Sequence, residues 1–224
     1  MRWSRSTGQW GGGVRARPRR RPPIMGILRR SRPLASQAIS KPIYMSERRL
    51  LLRTKHESCT FFSMVYDVRA IANLILDLAD EGGRKLTNMQ INKVVYFVHA
   101  DYLAAFGVPL VSAKIEAWEH GPVFRELYHE FKKFGDLPIA ARSSVVDPRT
   151  GIRGPANASL EPPTRAFVED AARKYSSMTA SALRSLSHVD GGPWDQVWNH
   201  VTSTQATMRI SDEAILGWYR SAKH

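Results

Sequence analysis

The pattern of apolar and polar positions changes near residue 64. From Tyr66 onward, apolar residues recur at the three- and four-residue spacing of an amphipathic helix. This spacing predicts a first helix that ends at Gly82 and Gly83, because glycine readily terminates helices. The residues on its apolar face are Val68, Ile71, Ala72, Ile75 and Leu78.

A second helix is predicted over residues 89–106. Thr87 and Gln90 form a capping-box pattern that opens it, and Gly107 supplies a stop. The segment is apolar around most of its circumference, so we expect it to be the central helix of the core.

Short strands are predicted next, at 109–111 and 115–118, where apolar and polar residues partly alternate. Gly121 and Pro122 indicate a turn, with Pro122 at the first position of a further helix. That helix places an apolar stripe on one side and ends at Gly135. The stripe consists of Val123, Leu127, Phe131 and Phe134.

The remainder predicts a long loop and four helices. Residues 136–161 are rich in Pro, Gly, Ser and Arg and predict a surface loop with a hairpin, turning at 147–151. Helices follow at 163–175, after Thr179, from Pro193, and after Ser211. The fold class predicted is mainly helical (α+β): a compact helical domain over 64–224 with a few short strands.

Charge separates the first 63 residues from the rest. The chain has a net charge of +13, and residues 1–63 hold 15 of its 33 basic residues but 2 of its 20 acidic ones. We predict that 1–63 is a disordered, dispensable Arg/Pro/Gly-rich extension with a misassigned start, since Met25, Met45 and Met64 are later possible starts. A transit peptide or a nucleic-acid-binding arm is the alternative.

The folded part has no net charge, so we expect no specific nucleic-acid binding by it. No apolar run is long enough to span a membrane, and no apolar segment follows the first basic residues as in a signal peptide. Cys59 is the one cysteine, which excludes an internal disulfide. These observations predict a cytoplasmic protein.

Three segments resemble the Panacea-domain (SocA-like) antitoxin family. The run 88–97 resembles the pattern L-T-N-x-x-L-x-K-L-x-Y-F, with Ile91 and Val94 where leucine is common. Residues 115–123 with Tyr128 resemble E-A-W-x-x-G-P-V…Y. The stretch from Thr179 to Trp194 resembles L-S-x-x-L…T-H…P-W. The Trp–Gly–Pro–Val element is the specific one.

The resemblance implies an antitoxin that neutralises a cognate protein toxin by direct binding. Family members are usually encoded beside the toxin gene and are often found on prophages. One alternative, which one member exemplifies, is an adaptor that delivers its toxin to a ClpXP-type protease. From the residues we expect neither a cofactor nor a membrane partner.

Several residues are candidates for partner binding. The turn His120, Gly121 and Pro122 should be exposed and rigid, and we expect it to bind the toxin together with the nearby loop 142–156. Lys93 and Tyr96 are predicted to share a surface groove on one helix face. Aromatic anchors and a histidine complete the set: Trp118, Tyr128, His188 and Trp194. For each aromatic residue the alternative is simple core packing, and for Gly121 and Pro122 it is backbone geometry.

An enzyme is the third class considered. A histidine–carboxylate set could form a metal or acid–base site, but it lacks the spacing of any metal-binding motif. We therefore predict no catalytic residue, metal or cofactor, and expect His99 to be a hydrogen-bonded core residue. The set consists of His99, His120, His129, His188, Glu116, Glu119 and Asp190.

Overall fold

The computed structural model describes residues 64–199 and 208–221. Within them the chain forms seven α-helices and five short strands, which confirms the predicted fold class. The predictions for residues 1–63 and for the segment 200–207 lie outside the described residues. The helices are α1 Val68–Glu81, α2 Asn88–Phe106, α3 Arg125–Phe131, α4 Pro162–Ser176, α5 Ala180–Ser187, α6 Pro193–Trp198 and α7 Asp212–Ser221.

The first helix ends, and the second begins and ends, where the sequence predicts. Asp67 caps α1 by accepting a hydrogen bond from the Arg69 amide at 2.8 Å. Thr87 and Gln90 form the expected capping box on α2. The helix ends at Gly107, whose φ of 75° suits glycine because it has no Cβ.

Helix α2 is the centre of the core, as predicted. It contacts α1, α3, α4, α5, α7 and the strand β2. Because neighbours surround it, all of its side chains from Ile91 to Leu103 are buried, including polar ones. Burial of this apolar surface is the main stabilising contribution to the fold.

A three-stranded antiparallel sheet packs beside α2. Its strands are β1 Ile115–Trp118, β2 Gly121–Phe124 and β5 Arg209–Ile210, in the order β2-β1-β5. Strands β1 and β2 form a hairpin in which Trp118 pairs with Gly121, so Glu119 and His120 are its two-residue loop.

Two local predictions are wrong here. Pro122 lies in β2 and does not open a helix; it is tolerated because β2 is an edge strand, where the missing N–H breaks no ladder bond. The helix starts later, at Arg125, and continues as a 3-10 turn over Lys132–Phe134 before Gly135. The segment 109–111 is not a strand: Val111 forms an isolated bridge with Tyr66.

The segment 136–161 contains the expected hairpin, formed by β3 Ser144–Val146 and β4 Arg153–Pro155. Asn73 of α1 binds both of its ends, donating to the carbonyls of Ser143 and Ala156 at 2.9 Å. The later helices are confirmed, including the caps at Thr179 and Ser211 and the opening at Pro193.

Candidate partner-binding site

A cavity of about 360 Å³ opens beside the tip of the β1–β2 hairpin. It lies between the first turns of α2, the hairpin and α3 with the 3-10 turn after it. A few polar groups converge among aromatic and aliphatic side chains, as is usual for binding sites. The lining residues include Asn88, Met89, Asn92, Lys93, Trp118, Glu119, His120, Val123, Tyr128, Lys132, Gly135 and Asp136.

Lys93 is the buried cation of this cavity. Its side chain is 1% exposed, and its Nζ donates a hydrogen bond to the Pro122 carbonyl at 2.9 Å. Burial, together with repulsion by Arg184, lowers the pKa of Lys93 to about 7. Lysine is rarely buried without a charged partner, so the position stands out from an ordinary core.

Lys93 and Asn92 together satisfy the outer edge of β2. The Asn92 Oδ1 accepts from the Phe124 amide at 3.0 Å, while Lys93 donates to the Pro122 carbonyl. Asn92 also donates to Asn88, whose own amide donates to the Tyr128 carbonyl at 3.2 Å. These bonds replace strand pairing at an otherwise open edge and fix the hairpin on α2.

Gly121 permits the close approach of these groups. A Cβ at this position would lie 2.7 Å from Ser187 Oγ, 2.8 Å from Lys93 Cε and 3.0 Å from His188 Cε1. Its φ of 102° is also a conformation that other residues rarely adopt. Both reasons require glycine, so the expectation that Gly121 serves backbone geometry accounts for its position.

Aromatic and aliphatic side chains form the rim. Tyr128 is 36% exposed, and its ring packs edge-on against Trp118 with ring centres 4.7 Å apart. The Trp118 indole donates to Glu116 at 2.9 Å, which fixes the ring. Met89 is exposed next to them. Ordered, partly exposed aromatic groups of this kind are typical anchors in protein interfaces.

His188 and Trp194 hold the hairpin through its backbone. The Trp194 indole donates to the Trp118 carbonyl at 2.8 Å, and His188 Nε2 lies 3.4 Å from the Glu119 carbonyl. The two rings are in contact, with centres 3.8 Å apart. Trp194 is buried. The structure therefore gives both residues a positioning contact with the hairpin.

The structure brings most of the predicted residues together, with three corrections. Tyr96 is 4% exposed and lies in the core, so Lys93 and Tyr96 do not share a surface groove. His120 is exposed as expected, but at a strand-to-strand turn. The loop 142–156 contributes no lining residue and is attached instead to α1, where Arg142 pairs with Asp77 and Asp80.

Sequence reasoning missed several lining residues, above all Asn88, Met89 and Asn92 on the first turns of α2. A signal was available: Asn88, Asn92 and Lys93 are polar positions on one helix that is otherwise apolar. Asn92 and Lys93 follow Asn88 by four and five residues. Polar side chains on an otherwise buried helix indicate that they contact polar groups of a neighbouring element.

The histidine–carboxylate set does not assemble. His99 is a core residue, as predicted: its Nε2 lies 3.0 Å from Asp212 and its Nδ1 accepts from the Val111 amide. His188 contacts the Arg184 carbonyl instead. In the described part of the chain no three His, Cys, Asp or Glu side chains group as metal ligands do, and no helix there is long and apolar enough to cross a membrane.

Comparison with known proteins agrees with the resemblance in the sequence. The family model described as "Antitoxin SocA-like, Panacea domain" matches residues 91–195, which include all lining residues of the cavity except Asn88 and Met89, and also Trp194. The chain is 33% identical over 158 residues to antitoxin SocA of Caulobacter vibrioides (strain NA1000 / CB15N), covering 70% of this chain and 84% of that protein. No solved structure matches the chain. This chain belongs to the SocA-like, Panacea-domain family.

Proposed function

We propose that this protein is an antitoxin that neutralises a cognate protein toxin by binding it directly, and that the toxin docks over the hairpin cavity. One observation carries the location: the cavity combines exposed apolar side chains, Met89 and Tyr128, with a buried cation on a hairpin fixed from both sides. The relative named antitoxin SocA supports the role.

The hairpin suits binding because its conformation exists before the partner arrives. Asn92 and Lys93 hold one side of it, while Trp194 holds the other. A preordered surface loses little conformational entropy on binding, so more of the contact energy is retained as affinity.

The role is tested by rescue from toxicity. The product of the adjacent gene is expressed under tight control, alone and with the full chain. We expect growth to stop in the first case and to recover in the second, with the two proteins co-purifying. A harmless neighbour, or persistent toxicity with soluble antitoxin, contradicts the proposal. Recovery that requires an active protease and lowers the toxin level indicates delivery instead.

The docking site is tested with two exposed apolar residues. Tyr128→Ala should weaken toxin binding by about 2 kcal/mol, the loss typical of an interface anchor. Ile152→Ala is the matched control, since Ile152 is exposed on the β3–β4 hairpin away from the cavity lining. If the Ile152 variant loses binding and the Tyr128 variant keeps it, the toxin docks on the other hairpin.

The extent of the domain is tested in the same assay. We expect residues 64–224 to rescue growth as well as the full chain does, because the predicted extension is dispensable. Failure of the shorter chain, with its helical circular dichroism intact, would assign a role to residues 1–63.

A further inference from the structure

Lys93 has a carbonyl acceptor but no carboxylate. The distance from Nζ to the Pro122 carbonyl is 2.9 Å, and among residues 64–199 and 208–221 no Asp or Glu oxygen lies within 4.0 Å of it. A backbone dipole compensates a buried ammonium only partly, whereas a carboxylate provides a full opposite charge.

The surroundings of Lys93 would strengthen pairing with a carboxylate that enters the cavity. Met89, Trp118 and Tyr128 line the space with apolar surface, which lowers the local dielectric, and does so further once a partner covers the cavity. The acidic rim residues Glu119 and Asp136 are exposed to solvent, where their charges are screened. The strongest charge complementarity for an entering group is therefore with Lys93.

Building on the proposed function, we propose that one Asp or Glu side chain of the toxin enters this cavity and pairs with Lys93. A space of about 360 Å³ has room for an Asp or Glu side chain and is too small for a helix, whose diameter is about 10 Å. An acidic side chain brings a methylene stem that packs against Met89 and Tyr128. A chain-terminal carboxylate would instead bring backbone amides against these apolar groups, where they would lack partners.

Pairing also makes binding depend on pH. Burial lowers the pKa of Lys93 to about 7 in the free protein, and a bound carboxylate raises it. Affinity should therefore be highest below pH 7 and fall as the pH rises through 7 toward the pKa of the complex. The other charged or titratable groups near Lys93 are Arg184 and His188 from α5 and its end, Glu119 and His120 from the hairpin, Tyr128 from α3, and Lys132 and Asp136 at the rim.

The first experiment measures the affinity of full-length variants for the toxin identified by the rescue assay. Lys93→Met keeps the stem and removes the charge, and it should raise the dissociation constant by on the order of a hundredfold. Lys133→Met is the control, because Lys133 lies beside the rim and lines no part of the cavity; it should change the constant by about twofold or less.

The outcomes separate the two proposals. If the unmodified protein does not bind the adjacent gene product, the proposed function fails. If it binds and Lys93→Met binds equally well, the carboxylate inference fails while the function stands. A toxin Asp→Asn or Glu→Gln change that reproduces the loss, without adding to Lys93→Met, supports the pairing. A loss reproduced only by amidating the toxin's terminal carboxylate overturns the side-chain assignment.

A second measurement needs no variant. The Cε carbon signal of Lys93 is followed by NMR against pH in the free protein and in the toxin complex. We expect its titration midpoint to rise by at least about one pH unit on binding. An unchanged midpoint overturns the inference, even if Lys93→Met fails to fold.

Discussion

Helix α2 buries one lysine and one aspartate about two turns apart, Lys93 near its start and Asp101 near its end. Asp101 accepts hydrogen bonds from Tyr175 at 2.7 Å and Tyr219 at 3.3 Å and lies 3.7 Å from Lys174 Nζ. Lys93 has the Pro122 carbonyl and faces a cavity. Burial raises the pKa of Asp101 and lowers that of Lys93, so each fold environment disfavours the charged form.

The difference lies in the partners. Three side chains from α4 and α7 converge on Asp101, so this carboxylate ties three helices together inside the protein. Lys93 links α2 to one edge strand and borders open space. We infer that Asp101 serves the fold and that Lys93 serves both the hairpin and the partner.

The largest expected effect is at the Lys93 end, from Gly121→Ala. The new Cβ would overlap Ser187, Lys93 and His188, and φ would be strained, so we expect a loss of about 4 kcal/mol in unfolding free energy, measured with urea. Gly191→Ala is the control: its φ is also positive, but no atom lies within 4 Å, so about 1 kcal/mol is expected. Equal losses would mean that close packing at Gly121 is unimportant.

Substitution of Asp101 should cause the next largest loss of unfolding free energy. Asp101→Ala leaves the hydroxyls of Tyr175 and Tyr219 without their acceptor, so we expect to lose about 3 kcal/mol of unfolding free energy. Toxin affinity should be unchanged while the protein is folded. Asp77→Ala, which removes an exposed partner of Arg142, should cost less than about 1 kcal/mol. A loss of toxin binding by folded Asp101→Ala would contradict the inference that Asp101 serves only the fold.

The main expected effect of Lys93→Met on stability is a change in how the free energy of unfolding depends on pH. The pKa of Lys93 is about 7 when folded and about 10.4 when unfolded, so between these values the unfolded chain binds the extra proton and stability rises with pH. From pH 7.5 to 9 the unmodified protein should gain about 2 kcal/mol more than the variant. The free energy of unfolding of both proteins is measured with urea at each pH. If it changes equally with pH in the two proteins, the pKa of Lys93 is not lowered in the folded state.

The smallest expected effect distinguishes the two tyrosines on Asp101. Tyr219→Phe removes a 3.3 Å hydrogen bond and should cost about 0.5 kcal/mol, whereas Tyr175→Phe removes one of 2.7 Å and should cost about 1.5 kcal/mol. Thermal unfolding at neutral pH resolves this order. A reversed order would place the stronger contact of Asp101 on α7.

Local patterns were sufficient for most helix ends. The capping box at Thr87, the glycine stop at Gly107 and the cap at Thr179 depend on residues within a few positions of each other, and all were predicted correctly. Pro122 was misassigned because proline suits both the first turn of a helix and an edge strand. The neighbouring strand, which the local sequence does not reveal, decides between them.

The sequence by itself determined that α2 is capped, apolar and central, and it marked Trp118, His120 and Tyr128 as candidates for binding. The tertiary structure alone decided that Tyr96 is buried and that Lys93 and Asn92 bind the edge of β2, which is 29 to 32 residues away. The spacing of apolar residues along a helix indicates which face of the helix is buried. The hydrogen-bond partner of a buried polar group depends on which distant strand packs there, and only the assembled core fixes that.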